Sequence, residues 1–154
     1  MYEKRSGATY NRLAKKEEID TIAELCREAA YLANEVIDEE KIIPFLNYLF
    51  DTHQFIEVLE HDEEIVGVLV GMKTEHPYFD IKPMAHELVW YVKEEHRGNK
   101  KSIYMLRDFM LWAKQNECKR IIMTSFFGDF HDTCNKIFLK AGFSPNEVIY
   151  MRDL

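Results

Sequence analysis

The sequence predicts a mixed α/β (α+β) fold, in which helices cover a mixed sheet, within a single domain spanning residues 1–154. Its 154 residues suit one compact domain, and 47% of them are apolar, which is enough to form a core. Short β-branched apolar runs alternate with segments of helical periodicity. Hairpin-like strand pairs are followed by strand–helix–strand units, and this order combines antiparallel and parallel pairing in one sheet.

The first half of the chain predicts one strand, two helices and a hairpin. Apolar residues from Ile19 to Ala33 recur at helical spacing, which predicts the first helix. The second helix is expected to be interrupted or to restart near Pro44. The polar segment 61–64 lies between two apolar runs, as in a hairpin. The predicted elements are a strand over 8–13, helices over 17–36 and 39–50, and strands over 55–59 and 65–72.

The second half alternates strands with helices. Residues 75–83 contain two prolines and are predicted to form a loop. Gly142 is placed to close the last helix in the left-handed conformation that helix ends favour. The predicted elements are strands over 87–92, 120–125 and 148–153 and helices over 100–116 and 131–141, with 120–125 expected to be buried.

Composition argues against several classes of protein. The net charge of −7 disfavours nonspecific nucleic-acid binding, which needs many cations to neutralise phosphates. No run approaches the roughly 20 apolar residues of a membrane span, and the polar, charged residues 1–8 do not form a secretory signal, so we expect a cytoplasmic protein. The three cysteines (Cys26, Cys118 and Cys134) are widely separated, which predicts reduced thiols and neither disulfides nor a metal site.

The segment with the clearest chemical meaning joins the strand ending at Val92 to the following helix. Unpaired N–H groups and the dipole at a helix N-terminus attract anions, and basic side chains add to this potential. The segment lacks the glycines of a P-loop or a dinucleotide fingerprint. The helix N-terminus and its basic side chains therefore predict a site for a pyrophosphate or a 3′-phosphate. The loop reads Arg97, Gly98, Asn99, Lys100, Lys101, Ser102.

These residues resemble the acyl-CoA-binding motif of the GNAT superfamily, R/Q-x-x-G-x-G/A. Arg97 and Gly98 match its common opening, Val92 matches the last apolar residue of the preceding strand, and Leu106 matches the helix leucine. Farther on, residues 138–143 (FLKAGF) resemble the family's YxKxGF helix ending. Residues 147–150 (EVIY) resemble its last strand. The resemblance covers about residues 84–154.

The resemblance implies a GNAT-like fold, a central mixed, mostly antiparallel sheet with helices on both faces. It also implies N-acetyl transfer from acetyl-CoA to a primary amine of a small molecule or a protein, directly in a ternary complex, and it allows a homodimer formed through the last strands. The cofactor-binding residues it implies are Trp90, Tyr91, Val92, Arg97, Gly98, Asn99, Lys100, Lys101, Ser102, His131 and Phe138. Packing in the sheet is an alternative role for Trp90 and Tyr91.

Acetyl transfer needs a base, because an ammonium has no lone pair. Glu87 and His86 are the candidates; as neighbours on a strand they point to opposite faces. A structural partnership with a helix is the alternative for Glu87. His76 is a third candidate for the base. Tyr150, Tyr104 and Tyr91 are candidate acids for the departing thiolate, with packing in the core or sheet as their alternative role.

Some positions depart from the family's pattern. Phe138 stands where the family often has the tyrosine that protonates the thiolate, and Lys100 and Ser102 replace small residues of the loop. These departures favour a second hypothesis, a GNAT-fold regulatory module that binds a protein partner without turnover. Residues 38–40 form an acidic run suited to a cationic amine or to a helix N-terminus, and residues 126–130 form an aromatic loop suited to the acceptor pocket or to a partner.

Overall fold

The computed structural model describes residues 7–81, 83–125 and 131–154. The chain divides into two compact units, Met1–Met123 and Thr124–Leu154. Short 3₁₀ turns at Lys16–Glu18 and Glu94–His96 precede two of the helices. The helices and strands are β1 (Thr9–Leu13), α1 (Ile19–Leu32), α2 (Ile42–Asp51), β2 (Phe55–His61), β3 (Glu64–Thr74), β4 (Met84–Val92), α3 (Lys100–Gln115), β5 (Arg120–Ile122) and α4 (His131–Lys140).

The first unit contains a five-stranded sheet in the order β1-β2-β3-β4-β5. β1 to β4 pair antiparallel, and β5 pairs parallel to β4. The hairpin β2–β3 turns at Asp62 and Glu63, which both adopt positive φ. This arrangement confirms the predicted mixed, mostly antiparallel sheet.

Helices cover both faces of this sheet. Ile56 and Val58 of β2 belong to a core with α1 and α2, whereas Phe55 and Leu59 belong to a core with α3. Adjacent residues of a strand point to opposite faces, so one strand contributes to both cores. Every residue of β2 from Phe55 to Glu60 is buried, including the two glutamates Glu57 and Glu60.

Two helix boundaries differ from the predictions. α1 ends at Leu32, because Asn34 adopts a φ of +56° and the N–H of Glu35 bonds to the carbonyl of Ala30 at 2.9 Å. α2 begins only at Ile42, so that Pro44 lies in its first turn. Proline is tolerated there since the first N–H groups of a helix have no intrahelical acceptor.

The predicted last strand, residues 148–153, is wrong for the described chain: residues 143–154 form neither strand nor helix. A strand needs a partner for its backbone groups, and the described part of the second unit contains only one regular element, α4. The apolar side chains of Val148, Ile149 and Tyr150 are accordingly exposed. β5 is also shorter than predicted and not fully buried, since Arg120 is exposed and Ile121 and Ile122 are half-buried.

Cys26 is buried, Cys118 and Cys134 are half-buried, and none of them forms a disulfide. Burial raises the pKa of the Cys26 thiol to about 11. None of the described helices has both the length and the apolarity that crossing a bilayer demands. Among residues 7–81, 83–125 and 131–154, no group of three or more histidine, cysteine or acidic side chains is arranged to hold a metal ion.

Candidate functional site

β4 and β5 run side by side over only three residues. β5 pairs with β4 from Met84 to His86, whereas β4 continues beside β3 as far as Val92. Beyond His86, the edge of β4 that faces away from β3 pairs with no described strand of the first unit. Residues 87–92 of β4 thus continue past the end of β5 toward the loop that follows the strand.

A β-bulge interrupts β4 just after the residues that pair with β5. Val70 of β3 is opposite Val89, and the next residue, Gly71, is opposite Glu87, so Leu88 has no partner on β3. A bulge bends its strand and increases the local twist. It gives β4 a physical reason to part from β5 just after their short shared stretch.

The register places the two adjacent candidate bases on different sides of the sheet. Glu87 is 7% exposed and lies opposite Gly71, where an added Cβ would overlap the ring of Phe109 in α3. Cross-strand partners share a face, so Glu87 lies on the side that α3 covers. His86 is half-buried opposite Met72, which packs against the core of α1 and α2.

The third candidate base, His76, organises the loop between β3 and β4. Its Nδ1 accepts hydrogen bonds from the backbone N–H of Tyr78, at 3.3 Å, and of Phe79, at 3.0 Å. Its ring stacks on the Phe79 ring with 4.2 Å between centroids. Because Nδ1 of His76 already accepts these two hydrogen bonds, its role is to stabilise the turn.

The last residues of β4 pack on both faces. Trp90 and Val92 belong to the core under α3, whereas Tyr91 packs against the core of α1 and α2. The hydroxyl of Tyr91 donates to Oε2 of Glu28 in α1 at 2.7 Å. Burial, followed by this hydrogen bond, raises the pKa of Tyr91 to about 12. The hydroxyl therefore stays protonated at neutral pH.

The loop after β4 holds Arg97 against the strand. Nε of Arg97 donates to the carbonyl oxygen of Val92 at 2.8 Å, and its Cζ lies 5.7 Å from the centre of the Tyr91 ring. Gly98 has a φ of +81°, in the region that favours glycine, and an added Cβ would meet no heavy atom within 4 Å. The backbone at Gly98 is therefore open to close approach by a bulky anion.

Asn99 caps the N-terminus of α3. Its Oδ1 accepts from the N–H of Lys101 at 2.8 Å, and its carbonyl accepts from the hydroxyl of Ser102 at 2.6 Å. The predicted binding loop thus contains its own cap, which uses the Lys101 amide. Within the described chain, the amides of Gly98, Asn99 and Lys100 donate to no protein acceptor. These three N–H groups remain for a ligand.

Cationic side chains surround this helix start, and the first turn of α3 contains no acidic residue. Lys100 is exposed, and Lys101 Nζ lies 5.1 Å above the Tyr104 ring, which Arg107 also approaches, at 4.5 Å. Three backbone donors, a helix dipole and the charges of Arg97, Lys100 and Lys101 fit a ligand that carries several phosphate groups.

A pocket that the sequence analysis missed lies between α1 and β4, with a volume of about 340 Å³. Glu24 and Glu28 are four residues apart on α1, a spacing that puts both on one helix face and could have indicated the pocket. Glu24 pairs with Arg27 at 2.9 Å, and Glu28 accepts from Tyr91. The pocket is lined by Glu24, Arg27, Glu28, Tyr31, Leu32 and Tyr91.

The acidic run 38–40 is held in ion pairs. Glu39 accepts from Arg27 at 2.8 Å, and this bond lowers the pKa of the Glu39 carboxyl. Asp38 pairs with Lys41 at 2.8 Å. Two of its three carboxylates therefore already have cationic partners within the protein.

The second unit contains three predicted site residues. His131 begins α4, with Nδ1 lying 3.2 Å from Oγ of Ser125. Phe138 is half-buried, and its ring centroid lies 5.7 Å from that of Phe143. Tyr150 is 91% exposed. The predicted aromatic loop 126–130 lies outside the described residues.

Solved structures share the architecture. A predicted acetyltransferase from Clostridium acetobutylicum, solved with acetyl-CoA, aligns with a TM-score of 0.75 and 13% identity over 95% of this chain and 96% of that one. Aminoglycoside N-acetyltransferase AAC(6')-Iy in complex with CoA aligns with a TM-score of 0.75 and 12% identity, covering 97% of each chain. Aminoglycoside 6'-N-acetyltransferase AAC(6')-Ih from Acinetobacter baumannii aligns with a TM-score of 0.72 and 14% identity, over 96% of this chain and 99% of that one.

These identities establish similarity of fold. No curated protein matches the sequence. Family membership comes instead from the sequence match of residues 17–143 to the acetyltransferase (GNAT) family model, which includes α1, the whole of β4, the Arg97 loop, and α3 and α4. This match spans well over half of the 154 residues. The chain therefore belongs to the acetyltransferase (GNAT) family.

Proposed function

We propose that the protein transfers the acetyl group of acetyl-CoA to a primary amine, directly within a ternary complex. One observation carries this proposal: β4 continues past the end of β5 over residues 87–92 and leads into a cationic loop and the N-terminus of α3. A ligand with an amide-containing arm and a phosphorylated end matches that sequence of features. Acetyl-CoA has both parts and supplies an activated acetyl thioester.

The residues after β4 would hold the phosphate groups. The amides of Gly98, Asn99 and Lys100 point from a helix start, where the dipole favours anions. Arg97 and Lys101 add charge-assisted hydrogen bonds. The part of β4 that extends beyond β5 would bind the amide-containing arm as an added strand would, through backbone groups.

Transfer needs a base for the ammonium proton and a donor for the developing oxyanion. Glu87 is our first candidate base, because it is a buried carboxyl at the bulge of β4; His86 is the alternative. A backbone N–H of Val92 or a neighbour on the same edge would donate to the carbonyl oxygen, and such preorganised donors act strongly where water is excluded.

The protein does not need a dedicated acid for the leaving thiolate. A thiol has a pKa of about 8.5, so the thiolate is a tolerable leaving group near neutral pH and water can protonate it. Phe138 has no proton to donate. Tyr150, whose side chain is 91% exposed in the described chain, is the alternative acid.

The acceptor we propose is a cationic amine of a small molecule. Two of the structural neighbours are aminoglycoside acetyltransferases, and the carboxylates of Glu24 and Glu28 line a pocket beside β4. A protein amine is the alternative acceptor. The cytoplasmic location and the homodimer remain predictions from the sequence.

A second function, a regulatory module that binds the cofactor without turnover, is favoured by two residues. Phe138 replaces the common tyrosine, and Lys100 places a side chain where the family usually has glycine. Lys100 is exposed, however, and the Cβ position of Gly98 is open, so the described loop has room for phosphate.

Calorimetric titration with acetyl-CoA, followed by a CoA-release assay with polyamines, aminoglycosides and peptides, tests the proposal. We expect Arg97→Ala to weaken acetyl-CoA binding by at least tenfold, since it removes a charged phosphate ligand. Arg107→Ala is the matched control, because Arg107 is an exposed arginine within α3, beyond the loop that contains Arg97.

The outcomes separate the two functions. Tight binding with CoA release on adding an amine supports the enzyme, whereas tight binding without release for any amine class supports the regulatory module. No binding of acetyl-CoA by the intact chain would contradict both proposed functions.

A further inference from the structure

A chain of contacts joins α1 to the predicted phosphate loop through one tyrosine. Glu28 of α1 accepts the hydroxyl of Tyr91 at 2.7 Å. The ring of Tyr91 faces the guanidinium of Arg97, with 5.7 Å from Cζ to the ring centroid. Nε of Arg97 donates to the carbonyl of Val92, the residue that follows Tyr91, at 2.8 Å.

We propose that Tyr91, held by Glu28, is a positioning residue that orients Arg97 toward the cofactor phosphates. This inference rests on the proposed function, in which Arg97 binds those phosphates. It gives Tyr91 a role through Arg97, whereas the sequence indicated direct cofactor contact, protonation of the thiolate or packing in the sheet.

The physical reason is the freedom of an arginine side chain. Ordering a long side chain on binding costs conformational entropy, and a side chain already held in its binding orientation avoids much of that cost. Two contacts restrict Arg97: the Val92 carbonyl fixes Nε, and the Tyr91 ring restrains the guanidinium plane. The ring is in turn fixed at both ends, by β4 and by its hydroxyl bond to α1.

The chain offers closely matched controls. Tyr10 of β1 donates to Oε1 of Glu60 at 2.7 Å, the same type of bond at the same length. β1 lies at the opposite edge of the sheet, separated from β4 by β2 and β3. Glu24, one turn before Glu28, lines the same pocket and pairs with Arg27.

The experiment measures CoA affinity by calorimetry on the full chain. The set comprises Tyr91→Phe, Tyr91→Leu, Glu28→Ala, Arg97→Ala and the double variant Tyr91→Leu/Arg97→Ala, with Tyr10→Phe and Glu24→Ala as controls. Thermal unfolding of each variant checks that it folds. Tyr91→Phe keeps the ring and its packing, so it reports on the hydroxyl if Tyr91→Leu fails to fold.

We expect the dissociation constant for CoA to rise about tenfold in Tyr91→Leu and about threefold in Tyr91→Phe and Glu28→Ala. The controls should bind as the parent does. In the Arg97→Ala background, Tyr91→Leu should have no further effect, because Tyr91 acts through Arg97; a merely structural role would weaken binding in both backgrounds.

Two results would overturn the inference alone: Arg97→Ala weakens binding while every Tyr91 and Glu28 variant binds normally, or the losses in the double variant multiply. Unchanged affinity in Arg97→Ala has a different meaning. It would remove the phosphate-loop assignment of the proposed function and this inference with it.

Discussion

Asn11 of β1 donates its side-chain amide to the carboxyl of Glu57, a residue of β2 that is 2% exposed. The same amide donates to Oδ2 of Asp108 in α3 at 2.7 Å. Two carboxyls from distant parts of the chain therefore meet at one amide. Burial and the nearby Asp108 charge raise the pKa of Glu57 to about 7, despite the opposing effects of the Asn11 bond and of Arg107.

Replacing Glu57 by Gln should change how stability depends on pH. The raised pKa means that the folded chain binds this proton more tightly than the unfolded chain, so the parent loses stability as the pH rises from about 4.5 to about 7. The loss is on the order of 3 kcal/mol. Gln mimics the protonated acid, so Glu57→Gln should be flatter across this window and more stable at pH 8, as measured by urea unfolding.

Glu60→Gln on the same strand is the control. Hydrogen bonds from Tyr10 and Arg12 lower the pKa of Glu60, so its contribution to stability is present at neutral pH and is lost as the pH falls. The two substitutions should thus shift the pH profile in opposite directions. Parallel profiles for the parent and Glu57→Gln would show that Glu57 does not titrate abnormally.

Gly71→Ala should destabilise the fold. An added Cβ would overlap the ring of Phe109, the most voluminous fully buried side chain in the described chain, and overpacking of this kind costs about 1–3 kcal/mol. Combining it with Phe109→Leu should cost less than the sum of the two single changes, because the smaller side chain relieves the overlap. Additive losses in chemical denaturation would contradict the predicted contact.

Two substitutions at Asn99 distinguish the capping of α3 from cofactor binding. Asn99→Ala removes the cap and should cost about 1 kcal/mol of stability. Asn99→Asp keeps an oxygen for the Lys101 amide but adds a negative charge beside the phosphate site, so stability should hold while CoA affinity falls several-fold. Melting curves and calorimetry on both variants test this; normal CoA affinity in Asn99→Asp would argue against phosphates at the start of α3.

Glu87→Gln tests the base. If Glu87 takes the ammonium proton, the rate of transfer at neutral pH should fall by about 10²-fold or more, while the dissociation constant for acetyl-CoA changes little. His86→Gln is the comparison, since His86 lies beside it on the other face. If Glu87→Gln keeps the pH–rate profile of the parent while His86→Gln loses most of its rate, His86 and not Glu87 is the base.

Local patterns were sufficient for much of the molecule. The apolar spacing of α1 and α3 predicted their helices, since it reflects one buried face of a 3.6-residue repeat. The order of β4, a basic loop and α3 was readable because neighbours in sequence stay neighbours there. The same local reasoning predicted a strand at 148–153, where apolar residues imitate the pattern without a partner strand in the described unit.

The sequence by itself determined the helices, most strands and the family, and the phosphate-binding role of residues 97–102 is a prediction from the same source. Only tertiary structure decided that Glu57, Asn11 and Asp108 meet in a partly buried cluster, that Tyr91 connects Glu28 to Arg97, and that β4 parts from β5 after His86. The physical reason is distance along the chain. Asn11 and Asp108 are 97 positions apart, and no periodicity within one element encodes which side chains the folded sheet and helices bring together.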